Sequence, residues 1–286
     1  MPHWTFLVVE VIAFLFGGLV LREAWQAGRR DFVTMLVGMG FGFAIEVFFV
    51  TQYAGYSYGD FLVDLPVLGH NVPLWVAVGW GTIIWISMRA SDRIGLPWAV
   101  RPLLDGLLAL SLDLTLDPVA EALGWWNWTR PGQAWGVPYD NFIGWMLIVA
   151  SISFFVRLGY RWLKPSWLVD ILIPIGALIP SVATVAGAQL ALEKIYPHLG
   201  EPLTWLIVAF IFGGILFPFL QKAQFPAKNP WFLTVVPLSY HGLMLFLLLA
   251  TPLVGQHPEL ILFMVTATLT SLTVFRHGVL NANAEA

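Results

Sequence analysis

Nine stretches of this chain are apolar for long enough to cross a lipid bilayer as helices, and that constrains every other reading of it. A helical crossing needs about 17–25 predominantly apolar residues. Such runs fall at 4–21, 32–50, 72–88, 98–116, 142–160, 168–190, 203–220, 231–253 and 260–275. The apolar excess covers the whole length, so residues 1–286 read as a single all-α transmembrane domain, a polytopic integral membrane helix bundle. Composition agrees: 58% of residues are hydrophobic and 11% charged, where a soluble domain carries roughly 25% charged residues. The first run is too long for a signal-peptide core and lacks a small-x-small cleavage site, so it is expected to stay as a helix.

Charge placement sets the expected orientation. Cytoplasmic loops collect lysine and arginine. With the N-terminus outside, the inner segments hold Arg22, Arg29 and Arg30; Arg89, Arg93 and Arg101; Arg157, Arg161 and Lys164; Lys222 and Lys228; and Arg276. Of the 14 basic residues only Arg130 and Lys194 fall outside. Nine crossings, N-out and C-in, follow. A net charge of −3 offers no basic field for nucleic acid, and the absence of cysteine excludes disulfides, thiolate metal sites and cysteine nucleophiles. Prolines 174, 180, 218 and 237 lie inside the runs, where neighbouring helices tolerate kinks. Gly38 and Gly42 form a small-xxx-small pair suited to close helix packing. The polar tail after Arg276 is expected to fray.

A charge inside a crossing costs about 2.5–3.5 kcal/mol on insertion scales. Glu10, Glu46, Asp105 and Asp113 therefore each need a reason, as does Asp117 at the expected helix end. Glu10 reads as a partner for a polar group on another helix, and His241 as a packed, hydrogen-bonded histidine. Asp113 and Asp117 are four residues apart and share a helix face. Asp117 before Pro118 also fits a helix N-cap. Glu46 and Asp113 each lie one turn from the outer end of a run, at matching depth. The loops that follow, Tyr56-Ser57-Tyr58 and Trp125-Trp126-Asn127-Trp128, face the same side. Singly, such rings form an interfacial belt; together with the acids they converge as one site requires.

Glu46, Tyr56-Ser57-Tyr58, Asp113-Leu-Thr-Leu-Asp117-Pro118, Trp126-Asn127-Trp128 and Gly136-Val137-Pro138-x-x-Asn141-Phe142-x-Gly144-Trp145, in that order, resemble the membrane carotenoid-biosynthesis protein family. That family includes hydratases of the gamma-carotene 1′-hydroxylase and bisanhydrobacterioruberin type. The resemblance is strong over 38–145 and weaker beyond. Ala77, where the family often has proline, and the loop at 60–71 depart from its pattern.

The resemblance implies addition of water to the terminal double bond of an acyclic carotenoid end. It also implies a bacterial or archaeal cell membrane, a lipophilic substrate drawn from the bilayer, and pathway enzymes as neighbours. Protonating a trisubstituted alkene gives a tertiary cation that water captures. A buried carboxyl group can hold the proton, aromatic faces can stabilise the cation, and no cofactor or metal is required. On this chemistry Asp113 or Glu46 is the expected acid and Asp117 its water-positioning partner. Tyr56, Tyr58, Trp126 and Trp128 line the cation site, with Asn141 supplying a hydrogen bond and Trp145 contacting substrate. Two other classes stand beside it. A membrane prenyltransferase holds magnesium diphosphate on Asp-x-x-x-Asp motifs, of which this chain has one, with few basic residues on that side. A transporter or carotenoid-binding scaffold also buries carboxylates, but no inverted repeat of broken helices is visible here.

Overall fold

The structure, a computed structural model, describes residues 4–53, 55–130, 132–224 and 229–280, side chains excepted at 52, 53 and 270–280. Helices α1 (Trp4–Ala27) and α2 (Arg29–Phe48) are separated by Gly28, which has a φ of +124°. A π-helical turn, Phe49–Tyr53, ends α2. Strands β1 (Tyr56–Tyr58), β2 (Asp64–Val67) and β3 (His70–Pro73) lead into α3 (Leu74–Arg93) and α4 (Arg101–Leu123). After β4 (Trp126–Trp128) come α5 (Tyr139–Trp162), α6 (Trp167–Leu199), α7 (Glu201–Leu220) and α8 (Trp231–Ala250). The four-residue α9 (Leu253–Gln256) and α10 (Glu259–Leu280) complete the described chain.

Among the described residues each of the nine apolar runs falls on a helix of at least 20 residues. Six of these, α1, α2 (extended to Thr51) and α5 to α8, are long and apolar enough to cross a membrane. Helices α3 and α4 are less apolar because they carry Arg89, Asp92, Arg93, Asp105, Asp113, Asp117 and Glu121, and they are buried on most sides. Their polar groups meet protein, while the outer helices turn apolar surface outward. Ile179 on α6 and Phe210 on α7 are each 80% exposed. A continuous apolar exterior around a core that contains carboxylates is the arrangement lipid requires, and it marks a membrane protein.

Close packing of α2 on α3 depends on the predicted glycine pair. A Cβ at Gly38 would sit 3.4 Å from the Gly81 Cα, and one at Gly42 would overlap the Trp80 side chain. A Gly42→Val variant is therefore expected to lose about 1–3 kcal/mol through overpacking and to push Trp80 out of place. Gly40→Val, on the open side of the same helix, is the control. Thermal unfolding of the detergent-solubilised protein measures both, and equal midpoints would rule the contact out.

Several expectations need correction. The fold is not purely helical, since β1 pairs antiparallel with β4 and β2 with β3. Helix α4 runs to Leu123 rather than 116, so Asp117 and Pro118 lie inside it and Asp117 caps nothing. The helix stops where Gly124 adopts the left-handed conformation (φ +70°, ψ +25°) and its N–H reaches back to the carbonyls of Ala120 and Glu121. Glu10 pairs with a loop backbone rather than another helix, accepting from the N–H groups of Leu62 (2.9 Å) and Val63 (3.0 Å). Arg157, counted among the inner-side charges that set the orientation, is buried within α5 against Asp105. Helix α10 continues past Arg276 to Leu280; residues 281–286 and Lys228 lie outside the described residues.

Candidate functional site

The loops after α2 and α4 meet as a two-stranded ribbon, and the ribbon builds one wall of the site. Tyr56 stands opposite Trp128, Ser57 opposite Asn127, and Tyr58 opposite Trp126. The pairing is extended by Gly59 N–H to the Trp125 carbonyl (2.8 Å) and Thr129 N–H to the Gly55 carbonyl (2.9 Å). Side chains alternate across a strand, so the four rings share one face while Ser57 and Asn127 are exposed. Tyr56 and Trp128 have ring centroids 4.8 Å apart, and Tyr58 and Trp126 are edge-on at 6.1 Å.

That face covers a chamber of about 50 Å³. In this measure one water needs roughly 10–15 Å³, so the chamber takes a few water-sized groups. Eight of the nine residues expected at the site line it: Glu46, Tyr56, Tyr58, Asp117, Trp126, Trp128, Asn141 and Trp145. Asp113 is not among the lining residues and has no exposed surface. It sits one turn behind Asp117.

Glu46, near the end of α2, accepts from three donors. Tyr56 donates its phenol to Oε2, Tyr58 donates to the same oxygen at 2.6 Å, and Trp80 Nε1 donates to Oε1 at 2.7 Å. In the ribbon, burial and the neighbouring Glu46 charge push both phenols well above the usual tyrosine range, so they stay protonated as donors. The aspartates form the other polar unit. Asn141 Nδ2 donates to Asp117 Oδ2 at 2.5 Å and approaches both Asp113 oxygens at 3.3 and 3.4 Å. The two carboxyls thus share one amide donor, with Asp113 one helical turn behind Asp117. The second oxygen of Asp117, Oδ1, has no protein partner. With the amide of Asn141 between them, the aspartates are bridged rather than open to a cation. Among the described residues no group of three or more His, Asp or Glu is placed to hold a metal ion.

Of the lining residues that escaped the sequence reading, three carry aromatic rings: Trp75, Trp80 and Tyr240. Trp80 matters most because it holds Glu46 and packs against Trp145, with ring centroids 4.4 Å apart and planes tilted by 36°. Trp75 lies parallel to Trp126 with centroids 6.3 Å apart. A tryptophan in the interior of an apolar run, away from the interfacial belt, was the available signal. His241, beside Tyr240, hydrogen-bonds Thr115 at 3.1 Å, the packed histidine expected.

A groove of about 400 Å³ adjoins the chamber and shares Glu46, Tyr56, Trp80, Trp128, Asn141 and Trp145 with it. It runs between α2, α5 and α6 over apolar side chains, and carries polar ones where these helices meet α7.

Comparison with known proteins adds three findings. The profile of the family described as "Carotenoid biosynthesis protein" matches residues 3–201. Over 166 residues the chain is 32% identical to the bisanhydrobacterioruberin hydratase of Haloarcula japonica, an alignment covering 51% of this chain. It spans 55% of that relative, little more than half its length. No solved structure matches.

Proposed function

This chain belongs to the carotenoid biosynthesis protein family, and from that premise we propose that it is a membrane enzyme adding water to the terminal double bond of an acyclic carotenoid end. The observation that carries the reading is the pairing, on one aromatic chamber, of Asp117, linked through Asn141 to Asp113 behind it, with Glu46, a carboxyl group held by three donors. The similarity to a hydratase supports it.

In this mechanism Asp117 delivers its proton to the less substituted alkene carbon. The π bond breaks, a C–H bond forms, and the positive charge settles on the tertiary carbon. The faces of Trp80, Trp126, Trp128 and Trp145 stabilise that cation without reacting with it. Water adds to the cation to form the C–O bond, and Glu46, oriented by Tyr56, Tyr58 and Trp80, takes its surplus proton. Return of that proton to the aspartate pair closes the cycle: alkene plus water becomes tertiary alcohol, with no electron carrier consumed. Asp117, expected from sequence to position water, is the acid in this mechanism, and Glu46, one of the two expected acids beside Asp113, is the base. Asp113 acts through Asp117, since it does not reach the chamber. The same reading has all nine long helices crossing the membrane, N-terminus outside, with the chamber near the outer face. Its substrate enters from lipid, and neighbouring pathway enzymes supply and receive it.

Expression in a lycopene-accumulating bacterium tests the reading. Liquid chromatography with mass spectrometry is expected to show a more polar pigment, heavier by one water, with the chromophore unchanged. Unchanged pigment at confirmed membrane expression, with cyclic-ended and prenyl-extended carotenoids also untouched, would refute it.

A further inference from the structure

Two glycines border the chamber and the groove where packing gives no reason for glycine. Gly79, in α3, is buried and lines the chamber; Gly144, in α5, lines the groove. A Cβ built on either meets no atom within 4 Å. Neither has a positive φ. Gly42, Gly81 and Gly106, in α2, α3 and α4, each hold a neighbouring helix closer than a Cβ would allow. Glycine inside a helix is disfavoured relative to alanine, so at 79 and 144 the helix tolerates a poor residue with no gain in packing. What the missing side chains leave is the open space itself.

We propose that Gly144 and Gly79 are specificity-determining positions that set the bore of a passage for an extended isoprenoid. Gly144 leaves room in the groove for the polyene, and Gly79 leaves room in the chamber for the branched end whose double bond reacts. The groove lining carries Ile45, Phe49, Leu147, Ile148, Val185 and Leu192 beside Gly144, together with polar groups at Asp140, Gln189, Glu193 and Glu201. A flat hydrocarbon chain suits the apolar part of that lining, and its tip arrives between Glu46 and Asn141, which border both spaces. A cyclised end group is broader than an open chain, so the same bore selects acyclic ends. The identity of the occupant rests on the hydratase reading; the passage does not depend on the chemistry at its end.

The test uses the full-length protein purified from lycopene-accumulating membranes. Two quantities are measured: pigment retained per protein, by absorbance, and the fraction converted, by chromatography. Gly144→Ala, Gly144→Val and Gly144→Leu fill the groove in steps. Gly176→Leu is the control, because Gly176 is exposed on α6 and its Cβ also meets nothing. Retention and conversion are expected to fall stepwise at position 144, by about tenfold or more at leucine, with Gly176→Leu unchanged. Gly79→Val is expected to keep the pigment and lose the product. Wild-type retention in Gly144→Leu would overturn the passage. An equal loss in Gly176→Leu would overturn it too, by showing that the effect is general. Wild-type protein that retains lycopene but converts neither it nor cyclic-ended or prenyl-extended carotenoids would remove the hydration reading and leave the position-144 series to judge the passage alone. If the wild type neither retains nor converts pigment, both readings fail.

Discussion

Asp117→Asn is expected to reduce hydration by about 10²–10⁴-fold, the range general acid catalysis contributes, while the protein stays folded in the membrane. Asparagine preserves the shape and the hydrogen bond to Asn141 but carries no transferable proton. Asp113→Asn is expected to be milder, because Asp113 has no exposed surface and reaches the chamber only through Asp117 and Asn141. Product per milligram of membrane protein in the lycopene strain measures both, with monodisperse elution in detergent confirming the fold. Near-normal product from Asp117→Asn would remove this residue from the chemistry. A greater loss at 113 than at 117 would move the acid to Asp113.

The largest effect on stability is expected at Arg157. Its guanidinium is buried and donates to Asp105 (2.6 Å), Asp92 (3.0 Å), Ser91 (2.8 Å), the Met88 carbonyl (3.1 Å) and Ser153. These contacts tie α5 to α3 and α4. Arg157→Met leaves Asp105, which has no exposed surface, as an uncompensated buried charge. Breaking a pair of this kind costs about 3–5 kcal/mol, whereas replacing both partners with apolar groups is often neutral. Arg157→Met is therefore expected to unfold much more readily than wild type in detergent, and Arg157→Met with Asp105→Leu to recover most of the loss. Single and double variants that unfold together at the wild-type midpoint would show the network to be dispensable.

Much of this bundle was legible in the chain because lipid imposes a coarse rule. Apolar runs locate the helices, and an acid inside a run stands out by its cost, so Glu46, Asp113 and Asp117 were visible as a group. Asn141 and Trp145 came from the ordered motif rather than from any physical signal of their own. The limits of the rule explain what was misplaced. Charge was used to set the orientation, so Arg157 was counted with the inner-side basic residues although the run at 142–160 contains it and it lies one and a half turns inside α5. Helix α4 was stopped at 116, before Pro118, although it continues for about two more turns to Leu123. Trp75 and Trp80 went unseen because an indole raises the hydropathy of a run instead of interrupting it. The ribbon was hidden for the opposite reason: Tyr-Ser-Tyr and Trp-Asn-Trp alternate with period two, but three residues are too few to outweigh an interfacial belt.

The ribbon also bears on the order in which the enzyme comes into being. It ties residues 56–58 to 126–128, and both carboxyl groups on the chamber, Glu46 and Asp117, precede the second of these segments. A chain is synthesised from its N-terminus, so once α5 has followed with Asn141 and Trp145, the proton donor and acceptor can already face one another. The remaining chamber residue, Tyr240, arrives on α8 about a hundred residues later. The chemical groups are thus gathered early and enclosed late, and a chain that stops before α8 would carry the acids with one wall of their chamber missing.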